Sequence, residues 1–229
     1  MSAPKVVKEL LERSNRLGSE PRFTNYAGGN TSAKGSVPNP ATGQETTVLW
    51  VKGSGGDLGT LTEPGLAALE LEKFKALKNV YRGVEYEDEM VALFDYCRFG
   101  TTGAAPSIDT AMHGLVPFDH VDHLHPDSII ALATSIDGEK LTRECFGDEI
   151  LWVDWRRPGF QLGLDMAKIA TENPKAKGCI LGGHGLTTWG ATSKECEERS
   201  VAAITKAEEF IKSKGKKNPF GSVVEEFKP

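Results

Sequence analysis

No run of apolar residues in this 229-residue chain approaches the roughly 18–20 needed to cross a bilayer. Residues 1–11 carry mixed charge and lack the apolar stretch of a secretory leader. The four cysteines, Cys97, Cys145, Cys179 and Cys196, are far apart and form no C-x-x-C pair. That argues against a disulfide framework and predicts reduced thiols in a cytoplasmic protein. A basic stripe is missing too: lysines are scattered and the formal net charge is −5, which argues against a nucleic-acid surface. Neither G-x-x-x-x-G-K-[ST] nor G-x-G-x-x-G occurs in the glycine-rich stretches, so no nucleotide is implied. With no internal repeat and no dividing linker, residues 1–229 read as one domain with a polar tail from 213.

Histidine is also scarce, and its placement carries the argument. Residues 119–127 read D-H-V-D-H-L-H-P-D, with His123 and His125 two apart. On a strand, residues two apart project from one face, about 6–7 Å apart at Cα. Two imidazoles placed so can converge on one ion. The only histidine further along is His184, in G-G-H-G. Three imidazoles with an open fourth position suit zinc or a similar divalent ion such as Mn2+, Co2+ or Fe2+. The alternative is that these are ordinary polar residues beside a turn. His120 reads as a loop or supporting residue. His113 lies four residues after Asp109, so the two share a face on a helix. Asp109 is the candidate acid: beside a divalent ion a carboxylate can act as general base, while alone it would read as a helix cap.

The remaining chain alternates helix and strand signals. Val6, Val7, Leu10 and Leu11 predict a helix that stops at Gly18, and residues 23–34 a short strand running into a glycine turn. Residues 46–51 (T-T-V-L-W-V) predict a strand. Thr62-Glu63-Pro64 predicts a helix start, continued by Leu66, Leu69, Phe74 and Leu77. Helices are predicted over 87–99, 107–114, 138–145 and 160–171, with a long one opening at Ser193. Strands are predicted over 129–134, 150–153, 178–181 and 186–189. This interleaving predicts a sheet covered by helices.

Two glycine turns follow strand-like segments: Gly28-Gly29-Asn30-Thr31-Ser32 and Gly53-Ser54-Gly55-Gly56. Main-chain N–H groups at glycines can approach a phosphate closely, and Asn and Ser side chains can add hydrogen bonds. Lys34 and Lys52 flank the turns. Tight hairpin turns are the plainer reading of both.

Gly29-Asn30-x-Ser32, Lys52-Gly53-Ser54-Gly55, Ser107-x-Asp109-x-x-x-His113, His123-x-His125 and Gly183-His184-Gly185 stand in the order found in class II aldolase/adducin-type domains. The resemblance covers roughly residues 5 to 212. Through V-K-G-S-G-G-D-L-G and P-F-D-H-V-D-H-L-H-P it is similar to the aldolase half of two-part rhamnulose-phosphate aldolase/lactaldehyde dehydrogenase chains. The dehydrogenase half is not contained here, so the chain is a stand-alone relative or a portion of a longer one. The resemblance implies an α/β fold, a three-layer α/β/α sandwich with a mixed, mostly antiparallel central sheet. It implies a homo-oligomer, tetramer favoured, with His123, His125 and His184 as metal ligands and Asp109 as the acid–base residue. Gly29, Asn30, Ser32, Ser54, Gly55 and Ser107 would line a sugar phosphate. The implied reaction cleaves a ketose 1-phosphate to dihydroxyacetone phosphate and a hydroxyaldehyde such as lactaldehyde. Pentulose-phosphate 4-epimerisation or dehydration on the same apparatus, or a non-catalytic adducin-like binding domain, are the alternatives. Three departures stand out: aspartate replaces the usual glutamate, Ser107-Ile108 replaces paired serines, and no tyrosine follows the histidine pair to serve as proton donor.

Overall fold

The computed structural model describes residues 3–216. Among them seven strands form one sheet: β1 (Asn30–Pro38), β2 (Glu45–Lys52), β3 (Leu66–Glu70), β4 (His120–Leu124), β5 (Ile150–Val153), β6 (Gly178–Leu181) and β7 (Gly185–Gly190). Their order is β3-β2-β1-β4-β7-β6-β5. Only β5 and β6 run parallel; every other neighbouring pair is antiparallel. The helices are α1 (Lys5–Gly18), α2 (Leu71–Ala76), α3 (Glu87–Phe94), α4 (Thr110–Leu115), α5 (Asp127–Ala133), α6 (Gly138–Phe146), α7 (Phe160–Glu172) and α8 (Ser193–Lys214).

Alternation along the strands divides the core in two. Leu124, Ile180 and Leu186 face one way and pack with Val7 and Leu10 of α1, Ile129 of α5, Phe146 of α6 and Ile204 of α8. On the same strands Val121, Cys179 and Trp189 face the other way, against Met112 of α4 and Leu162 and Met166 of α7. Leu49, Val51 and Leu69 extend that second face toward Phe74, Phe94 and Phe160. Helices therefore cover both faces of a mixed sheet, as the resemblance implied. Helix α8 is started by Thr192, whose hydroxyl accepts from Glu195 N–H at 3.1 Å, while the Glu195 carboxylate accepts from Ala191 N–H at 2.7 Å.

The structure departs from the predicted elements in four places. Residues 66–70 are strand β3 rather than helix: Leu66 pairs with Lys52 and Leu69 with Leu49, and the helix begins only at Leu71. The segment L-A-A-L-E is intrinsically helix-prone, and pairing with β2 overrides that preference. Residues 129–133 belong to helix α5, not a strand, and Thr134 caps its end. Pro126 precedes this helix, and Ile129, Leu132 and Ala133 are buried at helical spacing. The first glycine turn precedes strand β1 instead of ending a strand. The helix over 87–99 stops at Phe94 and continues as a single 3-10 turn. Helix α8 carries the start of the expected tail as far as Lys214, and 217–229 lie outside the described residues.

Candidate metal centre

Two neighbouring strands and one turn bring the three histidines together. His123 lies within β4, and His125 follows one residue beyond its end. The chain reverses between β6 and β7 at residues 182–184, so His184 returns beside the strand that β7 pairs with, where His123 is opposite Thr187. Three hydrogen bonds hold this turn: Gly182 N–H to Val153 O at 2.8 Å, Gly183 N–H to Ala133 O at 2.7 Å and His184 N–H to Leu181 O at 3.0 Å. The next residue must be glycine, since a Cβ at Gly185 would sit 2.8 Å from both His125 Cδ2 and Leu124 O.

His123 Nε2 is 2.8 Å from His125 Nε2 and 3.2 Å from His184 Nε2. His123 Nδ1 lies 3.0 Å from Leu186 O. A carbonyl only accepts, so Nδ1 carries the proton and Nε2 presents its lone pair to the other two rings. Burial pushes all three imidazoles down, His123 well below the ordinary histidine value and His125 to about 4; the Asp109 charge opposes this at His125 and His184. Neutral rings converging nitrogen to nitrogen have too few protons to satisfy each other, and a shared cation resolves this. A tetrahedral zinc with bonds of about 2.0–2.1 Å keeps its nitrogens about 3.3 Å apart, and the donor set fits such an ion.

Asp109 sits just before α4 and makes no capping hydrogen bond, so the plain helix-cap reading does not hold. Its Oδ2 accepts from Asn30 Nδ2 at 2.9 Å. Its Oδ1 is buried and has no hydrogen-bond partner among the described residues. Asn30 is in turn bonded through Oδ1 to His113 Nε2 at 2.5 Å, and His113 Nδ1 lies 2.7 Å from Ser32 Oγ.

The expected phosphate residues separate into two groups. Ser54 N–H donates to Ala105 O at 2.9 Å, which binds the second glycine turn to the loop carrying Ser107. Ser54 is exposed, Ser107 Oγ is buried without a partner among the described residues, and Gly55 and Gly56 lie in the left-handed region (φ +76° and +73°), bordering open space. Gly29 lies against the carbonyl of His123. Ser32, by contrast, is fully buried, with its hydroxyl on His113, and the Asn30 amide faces Asp109 rather than open space. Lys34 is also turned away: its ammonium donates to Val116 O and Phe118 O at 2.5 and 2.6 Å, and burial lowers it to about 7. Lys52 is buried near the second turn. Among the described residues its ammonium has one hydrogen bond, to Gly53 O at 3.5 Å; burial pushes the ammonium down, against the opposing charges of Asp109 and Asp57.

Sequence reasoning missed what lies behind β4. His120 is a strand residue facing away from the triad. Its Nδ1 accepts from Arg13 Nη1 at 3.0 Å. Arg13 also pairs with Asp122 at 2.9 Å, both side chains fully buried. The signal available was Arg13 itself, three residues after Leu10 and four before Leu17, on the apolar stripe of α1.

Residues 8–210 match the profile of the family described as Class II Aldolase and Adducin N-terminal domain, and the chain belongs to that family. Among curated proteins, the uncharacterized oxidoreductase YuxG of Bacillus subtilis (strain 168) is 38% identical over 208 residues, covering 91% of this chain. The chain spans only 30% of that relative's length. The N-terminal class II aldolase domain of a conserved protein from Thermoplasma acidophilum superposes with a TM-score of 0.80 at 26% identity, covering 92% of this chain and 96% of the other. A sugar-phosphate aldolase from Thermotoga maritima shares the fold with a TM-score of 0.67 at 14% identity, covering 93% and 97%. Among the described residues no helix is long and apolar enough to cross a membrane.

Proposed function

We propose that this chain is a metal-dependent aldolase acting on a ketose 1-phosphate of the rhamnulose 1-phosphate kind, releasing dihydroxyacetone phosphate and a hydroxyaldehyde such as lactaldehyde. The observation that carries the reading is the convergence of three neutral imidazole nitrogens, two of which feel the charge of a carboxylate with one oxygen held and the other without a partner among the described residues. A divalent ion held by His123, His125 and His184, zinc foremost, supplies a Lewis acid for the negative charge that develops on oxygen as the carbon–carbon bond breaks. Asp109 moves the proton, its free Oδ1 serving as the basic atom while Asn30 restrains Oδ2. Gly29, Gly55, Ser54 and Ser107 hold the phosphate, with Lys52 adding positive charge, so that the scissile bond is fixed relative to Asp109. Ser32 has no part in this cradle. The working protein is a cytoplasmic homo-tetramer in this reading, which sedimentation of the purified chain tests.

The decisive experiment supplies the zinc-loaded protein with rhamnulose 1-phosphate and, separately, ribulose 5-phosphate. Release of dihydroxyacetone phosphate from the first, abolished by chelation, is the expected result. Conversion of the second to its epimer without triose release would replace the aldolase reading by an epimerase. Full turnover after chelation would end the metal-dependent reading. A protein that retains no metal and turns over neither sugar would be a binding domain.

A further inference from the structure

We propose that His113 is a positioning residue: it sets the direction of the Asn30 side chain and thereby which oxygen of Asp109 stays free. The inference rests on Asp109 being the acid–base group. An Asn side chain offers an oxygen and an NH2 of nearly the same shape, so nothing in Asn30 itself decides which end faces Asp109. An ionised carboxylate only accepts, so the 2.9 Å contact to Asp109 Oδ2 requires the NH2. Asn30 Oδ1 then points at His113, 2.5 Å from Nε2, and needs a donor there. A neutral imidazole has one N–H; with it on Nε2, Nδ1 is left to accept from the Ser32 hydroxyl at 2.7 Å. Every group in the row Ser32–His113–Asn30–Asp109 then has one consistent role: turning Asn30 round breaks two hydrogen bonds, and moving the ring proton to Nδ1 breaks the one to Asn30, since the Ser32 hydroxyl could accept there and donate to Val121 O at 3.5 Å.

The ring cannot carry charge along this row. His113 is fully buried, and burial with the nearby cations Lys34 and Arg13 lowers it to about 3. Its part is orientation, and it touches no reacting atom. Asp109 and His113 are four residues apart at the start of α4, yet the link between them runs through Asn30 of β1, which ties the acid to the sheet that carries His123.

The test is made on the zinc-loaded full chain. In the 15N spectrum of the wild-type protein, His113 is expected as the Nε2-protonated tautomer, with the Asn30 side-chain amide slow to exchange. In His113→Leu, that amide should lose protection while β1 backbone amides keep theirs. Turnover should fall about tenfold, the worth of one hydrogen bond, with KM and bound zinc unchanged. His113→Gln, whose side-chain NH2 can donate to Asn30, should restore most of both signals. A wild-type Nδ1-protonated ring, unchanged Asn30 protection in His113→Leu, or a Gln variant no better than Leu at equal melting temperature would overturn the proposal. Should His113→Leu fail to fold, the wild-type tautomer decides. If the tautomer and the exchange pattern hold but no ketose phosphate is cleaved, the orienting role stands and the aldolase reading falls.

Discussion

Replacing Arg13 by Met removes the positive half of a fully buried ion pair on the back of the strand that carries His123. Arg13 donates to Asp122 at 2.9 Å, Ser193 Oγ at 2.9 Å and Ser32 O at 2.7 Å, besides His120. After the change Asp122 keeps the Ser200 hydroxyl at 3.1 Å and no cation. Leaving a buried charge unpaired costs about 3–5 kcal/mol. In a domain of this size each kcal/mol moves Tm by about 2–4 °C, so the fall should be roughly 6–20 °C. Its pH dependence identifies the cause. Burial pushes the Asp122 carboxyl up, and Arg13 draws it back down; without Arg13 it rises further. An acid raised in the fold stabilises below its unfolded value, about 3.9, and that stability is lost as pH rises through the folded value. The deficit of Arg13→Met against wild type should therefore narrow toward about pH 4 and widen toward neutrality. Asp122→Asn removes that titration and strands a guanidinium that cannot shed its proton, so its deficit should not widen toward neutrality as that of Arg13→Met does. Combining Arg13→Met with Asp122→Leu should recover most of the loss. Thermal melts by circular dichroism measure all four proteins. An Arg13→Met protein that melts within about 2 °C of wild type, or a double variant no more stable than Arg13→Met, would refute the reasoning.

Zinc at about 100 times its dissociation constant should stabilise the fold by about 2.7 kcal/mol, raising Tm by roughly 5–11 °C. The gain should vanish in His123→Ala and His184→Ala, as melts with and without zinc will show. The metal-free protein should lose stability as pH falls from about 6.5, the unfolded histidine value, toward about 4, where His120 and His125 titrate in the fold. Across that window the unfolded chain binds protons the fold refuses, and a urea midpoint flat with pH would contradict this. Gly185→Ala should displace both the His125 ring and the Leu124 carbonyl, lowering Tm and weakening zinc binding about tenfold or more; competition with a chromophoric chelator reads the binding. Asp109→Asn should keep its zinc by elemental analysis but lose about 100-fold or more in turnover.

The triad was legible because strand geometry turns H-x-H into two side chains on one face, and only one histidine remained as a third partner. The polar row behind Asp109 was only half legible. Residue spacing put Asp109 and His113 on a shared helical face, but nothing local showed that Asn30, 79 residues from Asp109, stands between them. Ser32 was misplaced for a related reason. A serine after a glycine turn suits a phosphate cradle, and only the pairing of β1 with β2 and β4 shows it to be buried. Leu66 and Leu69 suited a helix until pairing with β2 claimed them.

What the sequence determined by itself is the set of chemical groups and their local periodicity: three imidazoles, an acid four residues before a histidine, and two glycine-rich turns. Only the tertiary structure decided which of these meet. Contact between His123 and His184, 61 residues apart, depends on β4 lying beside β7. The choice of oxygen on Asp109 depends on a strand and a helix closing on one another. Hydrogen bonds reach about 3 Å, so partners distant in sequence become visible only when the chain has folded back on itself.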